Sequence, residues 1–198
     1  MSENSNTPRF PHLTPTSDLN ETQLTTYNYL LAGTRAVYSG VIVTEAADGS
    51  LHGPFGLLMH TPSIASNWIN LQLSISSLLT PPESEAAVLG VLSITQAAYG
   101  VYAHAILAEK AGYTAAQVQA MLSGTCPSDI TSRQAACWSL GVKLAQTRGP
   151  LDEVAFRGAR DVLGTETLAA VIHQVGAFVY TSVMLNAGDV GLPDGVEL

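Results

Sequence analysis

The chain has 198 residues, enough for one domain with a real core. Hydrophobic residues make up 46% of it and Asp, Glu, Lys and Arg together only 12%, about half the usual share in soluble domains, which excludes general disorder. Sixteen acidic residues against eight basic ones give a net charge of −8, so the Lys/Arg stripe that phosphate contacts require is missing and no nucleic-acid partner is expected.

Residues 1–18 read as a polar, proline-rich arm with no apolar stretch of the secretory kind. A helical domain follows over residues 19–195. Its first helix, 19–38, comes after the cap candidates Ser17 and Asp18 and carries Leu24, Tyr27 and Leu31 at helical spacing. Residues 39–55 are turn-rich, with Asp48-Gly49 and Gly53-Pro54 as breakers. Thr61-Pro62 opens a second helix to about residue 79, because proline in the first turn sacrifices no hydrogen bond.

Thr80-Pro81-Pro82-Glu83 has the form of a capping box and starts a third helix. Continued unbroken to residue 111, it would be about 43 Å long, against a radius of gyration of about 16 Å for a compact domain of this size. A break is therefore expected where Ser, Thr, Gln and Gly interrupt the Ala/Leu pattern, at residues 93–100, making a core helical hairpin. Thr114 with Gln117 caps a short helix to about 123, and further helices run over 131–147, 152–163 and 166–187, divided by Gly149-Pro150 and Gly164. No stretch alternates with period two. The expected class is all-α, with about six to eight helices.

Residues 49–82, 86–108 and 167–188 contain no Asp, Glu, Lys or Arg. The windows 86–108 and 167–188 are long enough to span a bilayer. Both hold internal polar groups (Ser93, Thr95, Gln96 and His104 in one; His173, Gln174, Thr181, Ser182 and Asn186 in the other) and lack flanking Lys/Arg clusters, so no membrane is expected. A homo-oligomer that shares such faces accounts for them better. Cys126 and Cys137, eleven apart, match neither a metal knuckle nor a Cys-x-x-Cys pair and fit a reducing, cytoplasmic compartment.

If the chain doubles back within 93–100, Glu85 on one arm meets His104 on the other; in an unbroken helix they stay about 28 Å apart. A carboxylate and an imidazole in an apolar pocket can pass a proton without any cofactor. Each also has a plain structural role open to it: an acid in a first turn complements the helix dipole, and a histidine can sit hydrogen-bonded in a core. His60, His104 and His173 have no metal-ligand spacing, so neither a metal nor a cofactor is expected.

At these residues the sequence resembles a family. Pro82 through Glu85, Tyr99-Gly-Val-Tyr-Ala-His104, Ala108 and Ala111-Gly112-Tyr-Thr look like the core segment of the carboxymuconolactone decarboxylase and alkylhydroperoxidase D-like superfamily. Gly53-Pro54-Phe55, Leu58, Pro62 and Ala65 resemble its preceding segment, and Leu163-Gly164, Gly176, Tyr180, Leu185-Asn186 and Pro193 its closing helix. The likeness covers about residues 20 to 195. It implies an all-helical domain assembled as trimers or hexamers, with dimers possible, and an active site in the core helices. In the peroxidase branch an acid is followed by Cys-x-x-Cys-x-x-x-His. By position the acid is Glu85 and the histidine His104, while the cysteines fall on Ala97 and Gly100, so a thiolate pair is missing. In the decarboxylase-like branch an acid often stands at the Gly100 position and a tryptophan at the Val101 position; this chain has neither.

Carboxymuconolactone is a small dianion that would want Arg or Lys nearby, which Arg35 or Arg133 would have to supply from other helices. A pocket lined by His60, Trp68, Tyr99 and Tyr102, with Phe55, Leu57 and Met59, suits an apolar or aromatic molecule better; core packing accounts for the same aromatics. The sequence thus reads as a cofactor-independent enzyme in which Glu85 and His104 move protons on an apolar ketone, lactone or β-keto acid. Decarboxylation in specialised metabolism is the leading reaction. An isomerase, cyclase or dehydratase would need the same residues, a non-catalytic oligomeric binding protein would need neither, and a thiol peroxidase would need Cys126 and Cys137.

Overall fold

The computed structural model describes residues 9–16 and 19–197. Nine helices occur among them: α1 (Glu21–Tyr38), α2 (Gly53–Leu58), α3 (Pro62–Ser76), α4 (Pro81–Thr95), α5 (Ala98–Lys110), α6 (Ala115–Leu122), α7 (Ser132–Gln146), α8 (Glu153–Leu163) and α9 (Thr165–Gly188). The only extended pairing among the described residues is an isolated antiparallel bridge between Glu45 and Leu51.

Local chemistry fixes most of these boundaries. Thr114 and Thr131 each accept a hydrogen bond from the backbone three residues on, from Gln117 and Gln134, whose side-chain oxygens accept in turn from the cap's own N–H. Asp152 accepts from Ala155 N–H to start α8. The first helix differs from expectation: Asn20 and Gln23 form its capping box, while the expected caps Ser17 and Asp18 lie outside the described residues. The count rises to nine because α2 forms inside the stretch read as turn-rich. Its six residues start with Gly53 at φ +64 and Pro54 in the first turn, and it is held by burial of Phe55 and Leu58 rather than by propensity.

The expected break falls at Gln96, which adopts the left-handed conformation (φ 51, ψ 33) and turns α4 back onto α5. α4 is the central element, with every residue from Ala86 to Leu92 buried. Its principal partner is α7. The two backbones cross in contact: a Cβ on Gly90 would run into the Trp138 carbonyl, and one on Gly141 into the Ala87 carbonyl. α5 and α9 close the main core around α4. A second cluster, with Tyr27, Leu30, Phe55, Leu58 and Trp68, joins α1, α2 and α3. Tyr38 packs against both clusters.

Candidate functional site

Glu85 stands in the second turn of α4 and His104 in the middle of α5, and the hairpin brings them face to face. His104 Nδ1 lies 2.8 Å from Glu85 Oε2, a charge-assisted hydrogen bond with Nδ1–H as donor. The side chains are 20% and 13% exposed, so the pair is lined by protein yet reachable from solvent. Neither His104 Nε2 nor Glu85 Oε1 makes a hydrogen bond to any other described residue. One bond thus fixes the imidazole and leaves one ring nitrogen and one carboxylate oxygen without a hydrogen-bond partner among the described residues.

Two aromatic residues frame the pair. Phe178 on α9 meets the His104 ring edge to face, with centroids 4.6 Å apart and planes at 83°. Tyr38 closes α1 nearby; its phenol is held above the ordinary tyrosine range by burial and then by the Glu85 carboxylate, and it donates to no described residue. Sequence reasoning missed both. Tyr38 was visible only as the last residue of a helix, and Phe178 only as one apolar position in an uncharged one.

The other expected pocket residues stand elsewhere. Tyr99 and Tyr102 clamp one residue: Tyr99 Oη donates to Val43 O at 2.8 Å, and Val43 N–H donates to Tyr102 Oη at 2.9 Å. Their rings meet at 5.8 Å, and the Tyr99 ring occupies the space a Cβ on Gly53 would need. Trp68 belongs to the second cluster, edge-on to Phe55, with its indole N–H unpartnered. His60 lies beyond α2, its Nε2 3.1 Å from Pro11 O and its ring against Phe10. No hydrogen bond or ring contact among described residues joins these four to Glu85 or His104.

The two cations considered as reaching the pocket are committed too. Arg35 forks onto Glu45. Arg133 donates to Glu83 Oε1 at 2.6 Å and to Leu163 O and Thr167 Oγ1, tying the start of α4 to the α8–α9 junction. Among the described residues no three His, Cys, Asp or Glu side chains converge as a metal site. Cys137 is fully buried, and burial pushes its thiol up to about 12; Cys126 is exposed, and partial burial raises it as well.

A crystal structure of a peroxidase-related protein from Ralstonia eutropha JMP134, described as an uncharacterized alkylhydroperoxidase AhpD core, superposes on the chain with a TM-score of 0.73. The match covers 94% of this chain and 93% of that one, at 17% sequence identity. The chain has the alkylhydroperoxidase D-like fold. No protein-family model and no curated protein matches the sequence. Within the alkylhydroperoxidase D-like fold, the helical hairpin that presents Glu85 and His104 is α4–α5. α9, the one described helix long and apolar enough to cross a bilayer, is 56% buried over that stretch and supplies Phe178.

Proposed function

We propose that the protein is a cofactor-independent enzyme of the decarboxylase-like kind, in which Glu85 and His104 move protons on an apolar ketone, lactone or β-keto acid. The single observation behind this is the 2.8 Å Glu85–His104 bond, with Nε2 and Oε1 left without a partner among the described residues. With the pair as carboxylate and imidazolium, Nε2–H is a donor for a carbonyl oxygen, while Glu85 Oε1 takes or returns a proton at the adjacent carbon. In decarboxylation of a β-keto acid the C–C bond to the carboxylate breaks and carbon dioxide leaves. The electron pair moves onto the carbonyl oxygen as an enolate held by Nε2–H; the Glu85 carboxylate then takes a proton from water and passes it through Oε1 to the carbon, and the hydroxide left behind is consumed by carbon dioxide as bicarbonate. Isomerisation, cyclisation or dehydration would use the same two atoms.

Phe178 brings apolar surface to the pair, and no Arg or Lys among the described residues is bonded to Glu85 or His104, which favours a neutral or singly charged substrate over a small dianion. We leave Tyr99, Tyr102, His60 and Trp68 outside the reacting atoms, the two tyrosines being engaged by Val43. A thiol peroxidase is the rival suggested by the neighbour's peroxidase-related name. The resemblance puts Ala97 and Gly100 where that chemistry needs thiols, and Cys137 is buried with its thiol near 12, almost wholly protonated at neutral pH. Buried α9 and free thiols support a cytoplasmic setting.

The test needs no knowledge of the natural substrate. A panel of apolar ketones, lactones and β-keto acids in deuterated water, followed by NMR, reports proton exchange or carbon dioxide loss at the carbon next to the carbonyl. Acceleration over buffer that disappears in Glu85→Gln and His104→Ala is the expected result. Acceleration that survives both substitutions, or hydroperoxide consumption lost in Cys137→Ser, overturns the assignment.

A further inference from the structure

Where α4 ends against α5 and α6, the surface opens into a hollow of about 730 Å³, within the size range of small-molecule sites. It is separate from the Glu85–His104 pair, since neither residue lines it. Its α5 wall is Val101, Ala105 and Glu109, spaced by four residues and so on one helix face, over about 12 Å. Val118 and Leu122 of α6 complete an apolar middle, with Gln119 and Ser123 exposed at the rim. The two ends differ from that middle. Glu109 stands at one, and Ser93 and Gln96, where α4 stops, at the other.

Both ends offer acceptors. The Glu109 carboxylate has no ion pair or hydrogen bond among the described residues. No Lys or Arg lines the hollow; Lys110 follows Glu109, but consecutive helical residues do not share a face. At the far end, Gln96 is one of two non-glycine residues with positive φ among the described ones, a conformation that helix ends usually assign to glycine or asparagine. Its side chain is put to use. Nε2 donates to Leu92 O at 3.2 Å and to Ser93 O at 2.9 Å. Both partners are carbonyls, so the amide nitrogen is fixed on the helix end and Oε1 keeps no partner among the described residues. The carbonyls that close α4 add the partial negative charge of a helix C-terminus. The hollow thus carries a full negative charge at one end, a partial one at the other, and hydrocarbon between.

We infer that this hollow binds a linear diamine, an alkyl chain with an ammonium group at each end. One ammonium pairs with Glu109, the other donates to Gln96 Oε1 at the end of α4, and the methylenes lie along Val101, Ala105, Val118 and Leu122. The net charge of −8 draws such a dication toward the chain. A diol of the same length forgoes the carboxylate, a shorter diamine reaches only one end, and a dicarboxylate meets Glu109 as a like charge. This site is independent of the reading of Glu85 and His104.

Calorimetric titration of diaminooctane into the full chain at low salt tests it. Saturable one-to-one binding that weakens as salt rises is expected. Diaminobutane, too short for both ends, and octanediol, which is uncharged, should each bind about tenfold more weakly or worse. Glu109→Gln removes the carboxylate, and Ala115→Trp fills the hollow from an exposed lining position at the start of α6. Each is expected to weaken diaminooctane by about tenfold or more, with the helical circular dichroism unchanged. Glu166→Gln, which neutralises an exposed acid on α9 away from the hollow, should leave the affinity as it is. Absence of saturable binding, equal affinity in Glu109→Gln, equal affinity for octanediol, or the same loss in Glu166→Gln overturns the proposal; the last would mean diffuse attraction to an acidic surface.

Discussion

Glu83 and Glu85 start the same helix two residues apart, about 200° around its axis, and meet opposite fates. Glu83 is saturated: Oε2 accepts from the Thr80 amide and hydroxyl, and Oε1 from Arg133. Burial alone would raise its carboxyl, but the bonds from Thr80 and Arg133 outweigh it and hold the group below the ordinary glutamate range. Glu85 has one partner, a histidine, and an oxygen to spare. A carboxylate with both oxygens engaged is a structural device; one held by a single bond at the edge of solvent keeps capacity for chemistry.

The sharpest way to break this contrast is to neutralise each acid in turn. Glu85→Gln is expected to reduce proton exchange or turnover by about 10²–10⁴-fold while the melting temperature stays within a few degrees. Glu83→Gln is expected to leave the rate per folded molecule within about twofold. Equal rate losses from the two substitutions would erase the distinction.

Both roles depend on α4 being held in place by α7. Gly90→Val forces a side chain into the Trp138 carbonyl and is expected to cost about 3 kcal/mol or more in denaturant unfolding, the largest stability effect here. Glu83→Ala removes a cap and a hydrogen-bonded ion pair whose arginine is 43% exposed, and is expected to cost about 2 kcal/mol.

Acid titration refines the same point. Because the folded Glu83 carboxyl lies below its unfolded value of about 4.3, its contribution is complete above that pH and is lost as pH falls through the folded value. The stability advantage of wild type over Glu83→Gln should therefore be flat above about pH 5 and shrink below it; an advantage that grows on acidification would reverse the assignment. The smallest effect is expected from Cys126→Ser combined with Cys137→Ala: unchanged turnover, and a loss of about 1 kcal/mol from the buried position.

Much of the site was legible because its signals are local or come from length. Thr80, Thr114, Thr131 and Asp152 announce helix starts through side chains that reach only three residues. The break at Gln96 followed from a rod too long for the domain, and the break makes Glu85 and His104 neighbours. One local signal was overlooked: Asn20, with Gln23 three residues on, caps α1. The rest of what escaped was set by distant partners. α2 is too short to be read from periodicity and exists because Phe55 and Leu58 find a cluster to enter. Tyr99 and Tyr102 read as pocket aromatics, but their hydroxyls are claimed by Val43, more than fifty residues away.

By itself, then, the sequence determined the helices and the hairpin, since caps, glycines and apolar spacing act within a few residues and need no knowledge of the rest. Only the tertiary structure decided which acid is locked and which is open, that Tyr38 and Phe178 stand near the Glu85–His104 pair, and that one side of α9 remains uncovered. These follow from which surfaces meet across the fold, and burial against a distant partner outweighs any preference a residue carries on its own.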